Sequence, residues 1–158
     1  MKTVFKILIT FLTSLLLTGC DFFSDTEISE PNKVIVTANG IQYTFSISTN
    51  TYSIEDTLQI VFLARNISVR GRELRFNNMP ELCYQLQSKF DNFSIYYPNI
   101  VLPAGITHFL RPGATKSFNA ISLFKDHNGV LLEKGDYVLT AFLGNSNSPK
   151  LKLFISLY

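Results

Sequence analysis

The sequence carries two histidines, His108 and His127, and two cysteines, Cys20 and Cys83. A cysteine beside a histidine can act as a thiolate nucleophile with its base, so Cys83 with either histidine is the first combination to weigh. Cys83 lies in "ELCYQL", where strand alternation sets it opposite Leu82 and Tyr84. A free cysteine in such a strand behaves as a small core hydrophobe. His108 lies between turns in "GITHFLRPG", and His127 sits in "KDHNGV", where Asp, His, Asn and Gly all suit a hairpin turn. Asp126-x-Asn128-Gly129 has the opening of a calcium loop but lacks the later ligands and the closing glutamate, which leaves a plain turn. Two separated histidines without a Cys/His cluster do not make a zinc site, and there is no phosphate-binding glycine loop. The expectation is a chain without metal or cofactor that is not an enzyme.

Cys20 has a different setting. Lys2 and Lys6 precede an apolar stretch from Ile7 to Leu17, broken only by Thr and Ser. A short basic region before an apolar segment of about 7–15 residues is a secretory signal pattern. It is too short to span a membrane, which takes roughly 20 residues. Leu17-Thr18-Gly19-Cys20 resembles the lipobox of bacterial lipoproteins. The resemblance implies cleavage between Gly19 and Cys20, acylation of Cys20, and a protein held on the extracytoplasmic face of a bacterial cell membrane. Two or three acyl chains suffice for this, because each buried methylene contributes about 0.8 kcal/mol while a single chain holds only marginally. Asp21 resembles the inner-membrane retention signal of many diderm lipoproteins; other bacterial groups read that position differently, which leaves inner and outer membrane both open.

The formal charge of +2 belongs to the signal segment: without Lys2 and Lys6, twelve basic and twelve acidic residues remain. A near-neutral chain has no general electrostatic attraction for nucleic acid. Residues 20–33 form a lipidated N-terminus and a tether with four acids and one lysine, a composition that stays solvated. Residues 34–158 are long enough for one domain that buries roughly two-thirds of its unfolded surface. With Cys20 acylated, Cys83 has no intrachain partner, so packing must hold the fold. Fourteen Phe and seven Tyr with no Trp suit an aromatic β core.

The elements that must position any site are strands. Val34, Val36 and Ala38 take alternate positions before Asn39-Gly40, a hairpin dipeptide, and Ile41, Tyr43, Phe45 and Ile47 alternate with polar residues after it. "LQIVFLA" (58–64) is apolar on both faces, as a central strand would be, and ends at Arg65-Asn66. Further strands are expected at 74–76, 82–87, 93–97, 115–123, 137–143 and 151–157. About seven to nine short strands with no helical periodicity specify an all-β, immunoglobulin-like antiparallel sandwich. Leu132-x-x-Gly135-x-Tyr137 has the spacing of a tyrosine corner, in which Gly135 supplies the unusual dihedral and Tyr137 the hydroxyl that bonds back to upstream backbone.

"EDTLQIVFLARNIS" (55–68), "LRPGATKSF" (110–118) and "LLEKGDYVLTAFL" (131–143) together resemble the BsuPI-like domain, an immunoglobulin-like sandwich named for an intracellular proteinase inhibitor. The resemblance covers roughly residues 41–157. It implies the sandwich and, through the namesake, proteinase inhibition. This chain departs from the family pattern in having no Trp on its middle strands and in carrying an export signal.

Two stretches are candidates for binding. Arg65, Arg70, Arg72 and Arg75 lie within eleven residues around Gly71, opposed only by Glu73, in an expected loop. Such a patch suits an acidic partner or anionic headgroups near the anchor. "YYPNIVLPAGITHFLRP" (96–112) reads as a proline-stiffened apolar loop that loses little entropy on binding. Its apolar members Ile100, Leu102, Ile106 and Phe109, with Arg70 and Arg72, form the expected binding set. The function this points to is a membrane-anchored, non-catalytic protein-binding module of the cell envelope, partnered by another envelope protein. The alternative is a proteinase inhibitor that presents residues 98–112 to a protease.

Overall fold

The computed structural model describes residues 28–144 and 148–158. The signal segment, Cys20 and the tether through residue 27 lie outside the described residues. Twelve strands follow in order: β1 (Ile28–Glu30), β2 (Lys33–Ala38), β3 (Ile41–Ile47), β4 (Thr51–Tyr52), β5 (Thr57–Asn66), β6 (Arg72–Met79), β7 (Leu82–Ser88), β8 (Ser94–Tyr97), β9 (Leu102–Leu110), β10 (Thr115–Leu123), β11 (Gly135–Leu143) and β12 (Leu151–Leu157). They form an immunoglobulin-like sandwich of two five-stranded sheets, β1-β2-β3-β5-β10 and β4-β12-β11-β7-β8, with a separate two-stranded ribbon of β6 and β9. Neighbours are antiparallel except β4, which runs parallel to the end of β12.

Alternation builds each layer. Ile41, Tyr43, Phe45 and Ile47 of β3 point inward, as do Leu58, Ile60, Phe62 and Ala64 of β5, and the paired register sets Phe45 beside Phe62. Their rings stack with centroids 6.4 Å apart, and Tyr43 meets Phe62 from the other side at 6.2 Å. From the second sheet, Leu82, Tyr84, Leu86, Tyr137, Leu139, Leu151, Leu153 and Ile155 complete one continuous core. The Asn39-Gly40 turn has φ of +53° and +73° at its two residues, the pair of positive angles that a type I′ hairpin requires.

Three strands exceed the sequence-based count, and each has a physical reason. β1 lies in the stretch expected to be tether: its backbone pairs with β2, Ile28 opposite Ile35, although two of its three residues are polar and Pro31 follows it. β4 has two residues, too short for any periodicity. β9 contains Pro103 and Gly105, which interrupt its alternation. The reading of β5 as apolar on both faces also needs correction. The strand is interior to its sheet, but Val61 and Leu63 point to the outer face, which no further layer of the described residues covers, and Val61 is exposed.

At the end of the turn before β11, the Tyr137 hydroxyl donates to the Glu133 carbonyl at 2.7 Å, and Gly135 sits at φ +150°. This is the bond of a tyrosine corner, and it closes the crossover into β11. Tyr137→Phe keeps the ring and removes the bond. Denaturant titration of that variant is expected to show a loss of about 0.5–1.5 kcal/mol with an unchanged slope.

Candidate functional site

One end of the sandwich is organised by Asn66, the last residue of β5, which is fully buried. Its Nδ2 donates to the carbonyls of Arg70 (2.7 Å) and Leu110 (2.9 Å), and its Oδ1 accepts from the Ser68 N–H (2.9 Å) and hydroxyl (2.7 Å). An asparagine amide has two donors and two acceptor sites, so every one is used. The Asn66 backbone bonds Ala114 and Gly113. A single residue, through its side chain and its backbone, thus ties the 67–71 turn, the end of β9 and the turn into β10. Around it stand Arg65, Arg70, Arg72 and Arg111, all exposed, with Ile67, Phe109 and a 92% exposed Val69. The Phe109 ring lies on Gly71 so closely that a Cβ there would fall 2.3 Å from the ring. Any larger residue at position 71 would displace the Phe109 ring from this position.

The 98–112 segment is not a free loop. Most of it is β9, paired antiparallel with β6 from Arg72 opposite Leu110 to Met79 opposite Leu102. Leu74, Phe76 and Leu110 are buried, with Ile106 packed against the core, and Phe76 meets the ring of Phe118 at 5.7 Å. The ribbon is also held by His108, whose Nε2 lies 2.6 Å from Glu81 Oε1. The expected binding residues are therefore dispersed. Ile106 faces inward, Phe109 joins Arg70 and Arg72 at the Asn66 end, and Ile100 and Leu102 stand exposed at the opposite end of the ribbon. Arg72 belongs to β6, and its Nε donates to the Ser68 hydroxyl; Arg75 pairs with Glu73 on the ribbon's outer face.

A feature the sequence did not disclose is a groove of about 680 Å³ beside β10. β10 ends its sheet, so one of its edges has no strand neighbour among the described residues. The Asn66 N–H bonds the Ala114 carbonyl, which fixes the phase of the ladder. Lys116, Phe118 and Ala120 exchange bonds with β5, while Ser117, Asn119 and Ile121 turn their N–H and C=O groups to the open edge. Consecutive residues 116–122 line the groove, which only a strand seen edge-on can do. The facing wall is Met79-Pro80-Glu81 with Pro98 and Asn99, and the floor is Tyr84 and Tyr97, stacked at 4.8 Å. Lys116 has no ion-pair partner among the described residues, whereas Glu81 is engaged by His108. A lysine at an inward-facing position is the one sequence signal of this edge, because inward charges protect edge strands from pairing.

The candidate chemical groups are not brought together. Cys83 is on the outer face of β7, half-buried, while Leu82, Tyr84 and Leu86 take the core side. Its Sγ contacts the Pro80 carbonyl at 3.8 Å, and burial pushes its thiol above the ordinary range. His127 packs edge-on against Tyr97. The Asp126 carboxylate accepts the N–H groups of Asn128 and Val130, both at 2.8 Å, which commits it to the turn. Among the described residues, no group of three or more His, Cys, Asp or Glu side chains converges, and no helix is long and apolar enough to cross a membrane.

No family model and no curated protein matches the sequence. Among solved structures, the chain is similar to part of a β-glucosidase from Erythrobacter marinus (16% identity over 75% of this chain and 15% of that one, TM-score 0.45). It is similar to part of the alkylpurine DNA glycosylase AlkC from Pseudomonas fluorescens (10% identity, 75% and 30%, TM-score 0.48). A third is β-glucosidase 3B from Thermotoga neapolitana (18% identity, 73% and 15%, TM-score 0.45). The chain spans less than a third of the length of these proteins, and identities of 10–18% do not establish an enzymatic activity.

Two measurements check the site's construction. Asn66→Ala leaves the buried Leu110 carbonyl and the Ser68 N–H without their partner, and its stability is expected to fall by about 2–3 kcal/mol in denaturant titration. Tyr97, whose hydroxyl donates to the Lys125 carbonyl, is pushed from near 10 up to about 12 by burial, then by Tyr84 and Asp126. A raised pKa in the folded state means stability is full below the unfolded value and is lost as pH rises through the folded one. Thermal stability is therefore expected to fall between pH 10 and about 12, and Tyr97→Phe to flatten that decline.

Proposed function

We propose that this chain is a membrane-anchored, non-catalytic protein-binding module of the bacterial cell envelope, held by acyl chains on Cys20. Its site is the β10 groove, and its ligand is an extended segment of another envelope protein. The observation that carries this reading is the open edge itself. Unpaired N–H and C=O groups at Ser117, Asn119 and Ile121 match the backbone of an added strand, and alternate side chains of that strand would meet Tyr84, Tyr97 and Phe118. Lys116 offers a carboxylate on the ligand its counter-charge.

Proteinase inhibition is the second reading. It is favoured by Ile100, Val101 and Leu102, three consecutive exposed apolar residues at the end of the ribbon. Under that reading the captured partner is a protease, and replacing these three residues abolishes inhibition.

A photo-crosslinker at Ile121, activated in native membranes, is expected to capture one envelope protein. Asn119→Pro removes an outward N–H, a change that edge strands tolerate, and it should abolish capture while leaving the unfolding transition in place. Capture that persists in Asn119→Pro contradicts strand addition. Capture of an active protease lost only on changing residues 100–102 favours the inhibitor.

A further inference from the structure

We infer that the arginine-rich end of the sandwich rests on the membrane and binds the anionic headgroups of phospholipids. The inference rests on the Cys20 anchor proposed above and goes beyond it, because an anchor alone does not orient a domain. Direction comes from the first hairpin. β2 runs from Lys33 to Ala38 and turns at Asn39-Gly40. Gly40 abuts the arginine end: its carbonyl accepts from the Ile67 N–H at 3.0 Å, and a Cβ on it would stand 3.0 Å from an Arg72 guanidinium nitrogen. β1 is antiparallel to β2, with Ile28 opposite Ile35 and Glu30 opposite Lys33. Followed back towards the N-terminus, β1 therefore heads for the same end. Cys20 lies eight residues before Ile28 (28 − 20), a reach of at most about 28 Å.

The surface that meets the anchor has the chemistry of a headgroup site. Arg65, Arg70, Arg72 and Arg111 are exposed around Asn66, and none forms an ion pair with a described residue. Guanidiniums bind phosphate oxygens in bidentate fashion. Val69, Ile67 and Phe109 stand among them, exposed and apolar, suited to the boundary between headgroups and acyl chains. The opposite end, ten residues away along β5, or roughly 30 Å at the strand rise, has Glu55 and Asp56. The same placement leaves the β10 groove open along the flank. The acids of the connecting segment, Asp21, Asp25 and Glu27, are the competing occupants of the arginines.

The test uses the full-length acylated chain in vesicles. A fluorophore is placed at Val69→Cys or at Glu55→Cys, each with Cys83→Ser, and quencher-labelled lipid reads proximity. The expected result is much stronger quenching at position 69 than at 55 in phosphatidylglycerol vesicles. That gap should close in phosphatidylcholine and in Arg65→Gln/Arg70→Gln/Arg111→Gln. Equal quenching at both positions, or a gap indifferent to lipid charge and to the arginines, overturns the inference. A gap that opens only after Asp21→Asn, Asp25→Asn and Glu27→Gln assigns the arginines to the tether and also overturns it. The mass of the N-terminal fragment, read on the same sample, reports acylation separately. If Cys20 is unmodified, the anchor reading fails by itself, and co-sedimentation of the chain with phosphatidylglycerol vesicles still reads the patch. There the triple arginine variant should lose binding on the order of a hundredfold, and unchanged binding overturns the inference.

Discussion

The buried amide of Asn66 is the constraint on which the working end of this molecule depends. Its side chain bonds four polar atoms from two chain segments, and its backbone bonds a third at Gly113 and Ala114. A buried polar group left unpaired is costly, while a fully paired network specifies one arrangement. The 67–71 turn, the end of β9 and the entry to β10 therefore have their positions set together. The arginines around the amide inherit a fixed spacing, and β10 inherits the phase that turns alternate backbone groups outward.

That phase matters because the first sheet stops at β10. In a two-sheet sandwich, an uncovered edge is a template for another strand. This chain covers the apolar part of the opening with the β6–β9 ribbon, through Phe76 against Phe118 and the His108–Glu81 pair, without bonding the ribbon to the edge. The remaining space is a groove whose long side is backbone. Its stacked tyrosines give area and its lysine gives a charge preference. Apolar area, an unpaired backbone edge and one free cation make a surface for recognising extended polypeptide.

Most strands were legible because strands such as β3 and β12 alternate and turns carry Asn-Gly or Gly-x-Tyr signals. The tyrosine corner was legible from Gly135 and Tyr137 alone, because its hydrogen bond is local. β9 was not, since Pro103 and Gly105 mimic loop composition while the pairing that makes it a strand comes from β6, thirty residues earlier. Asn66 read as a strand terminator, because its four partners are assembled only by the tertiary fold. The groove was illegible for the same reason: which strand lies at an edge is a property of strand order, and Lys116 is its single local trace. Arg70 and Arg72 stand close in the sequence, but Phe109 and Arg111 join them only through the β6–β9 register.

The most direct test of the account is residue-resolved amide hydrogen exchange at Ser117, Asn119 and Ile121, in purified protein alone and with its crosslinked partner segment bound. The account predicts rapid exchange alone and marked slowing on binding at these three amides, with Phe118 and Ala120 slow in both states. Slow exchange at all three in the protein alone, or rapid exchange that persists with partner bound, would contradict an open edge that recognises its ligand by adding a strand.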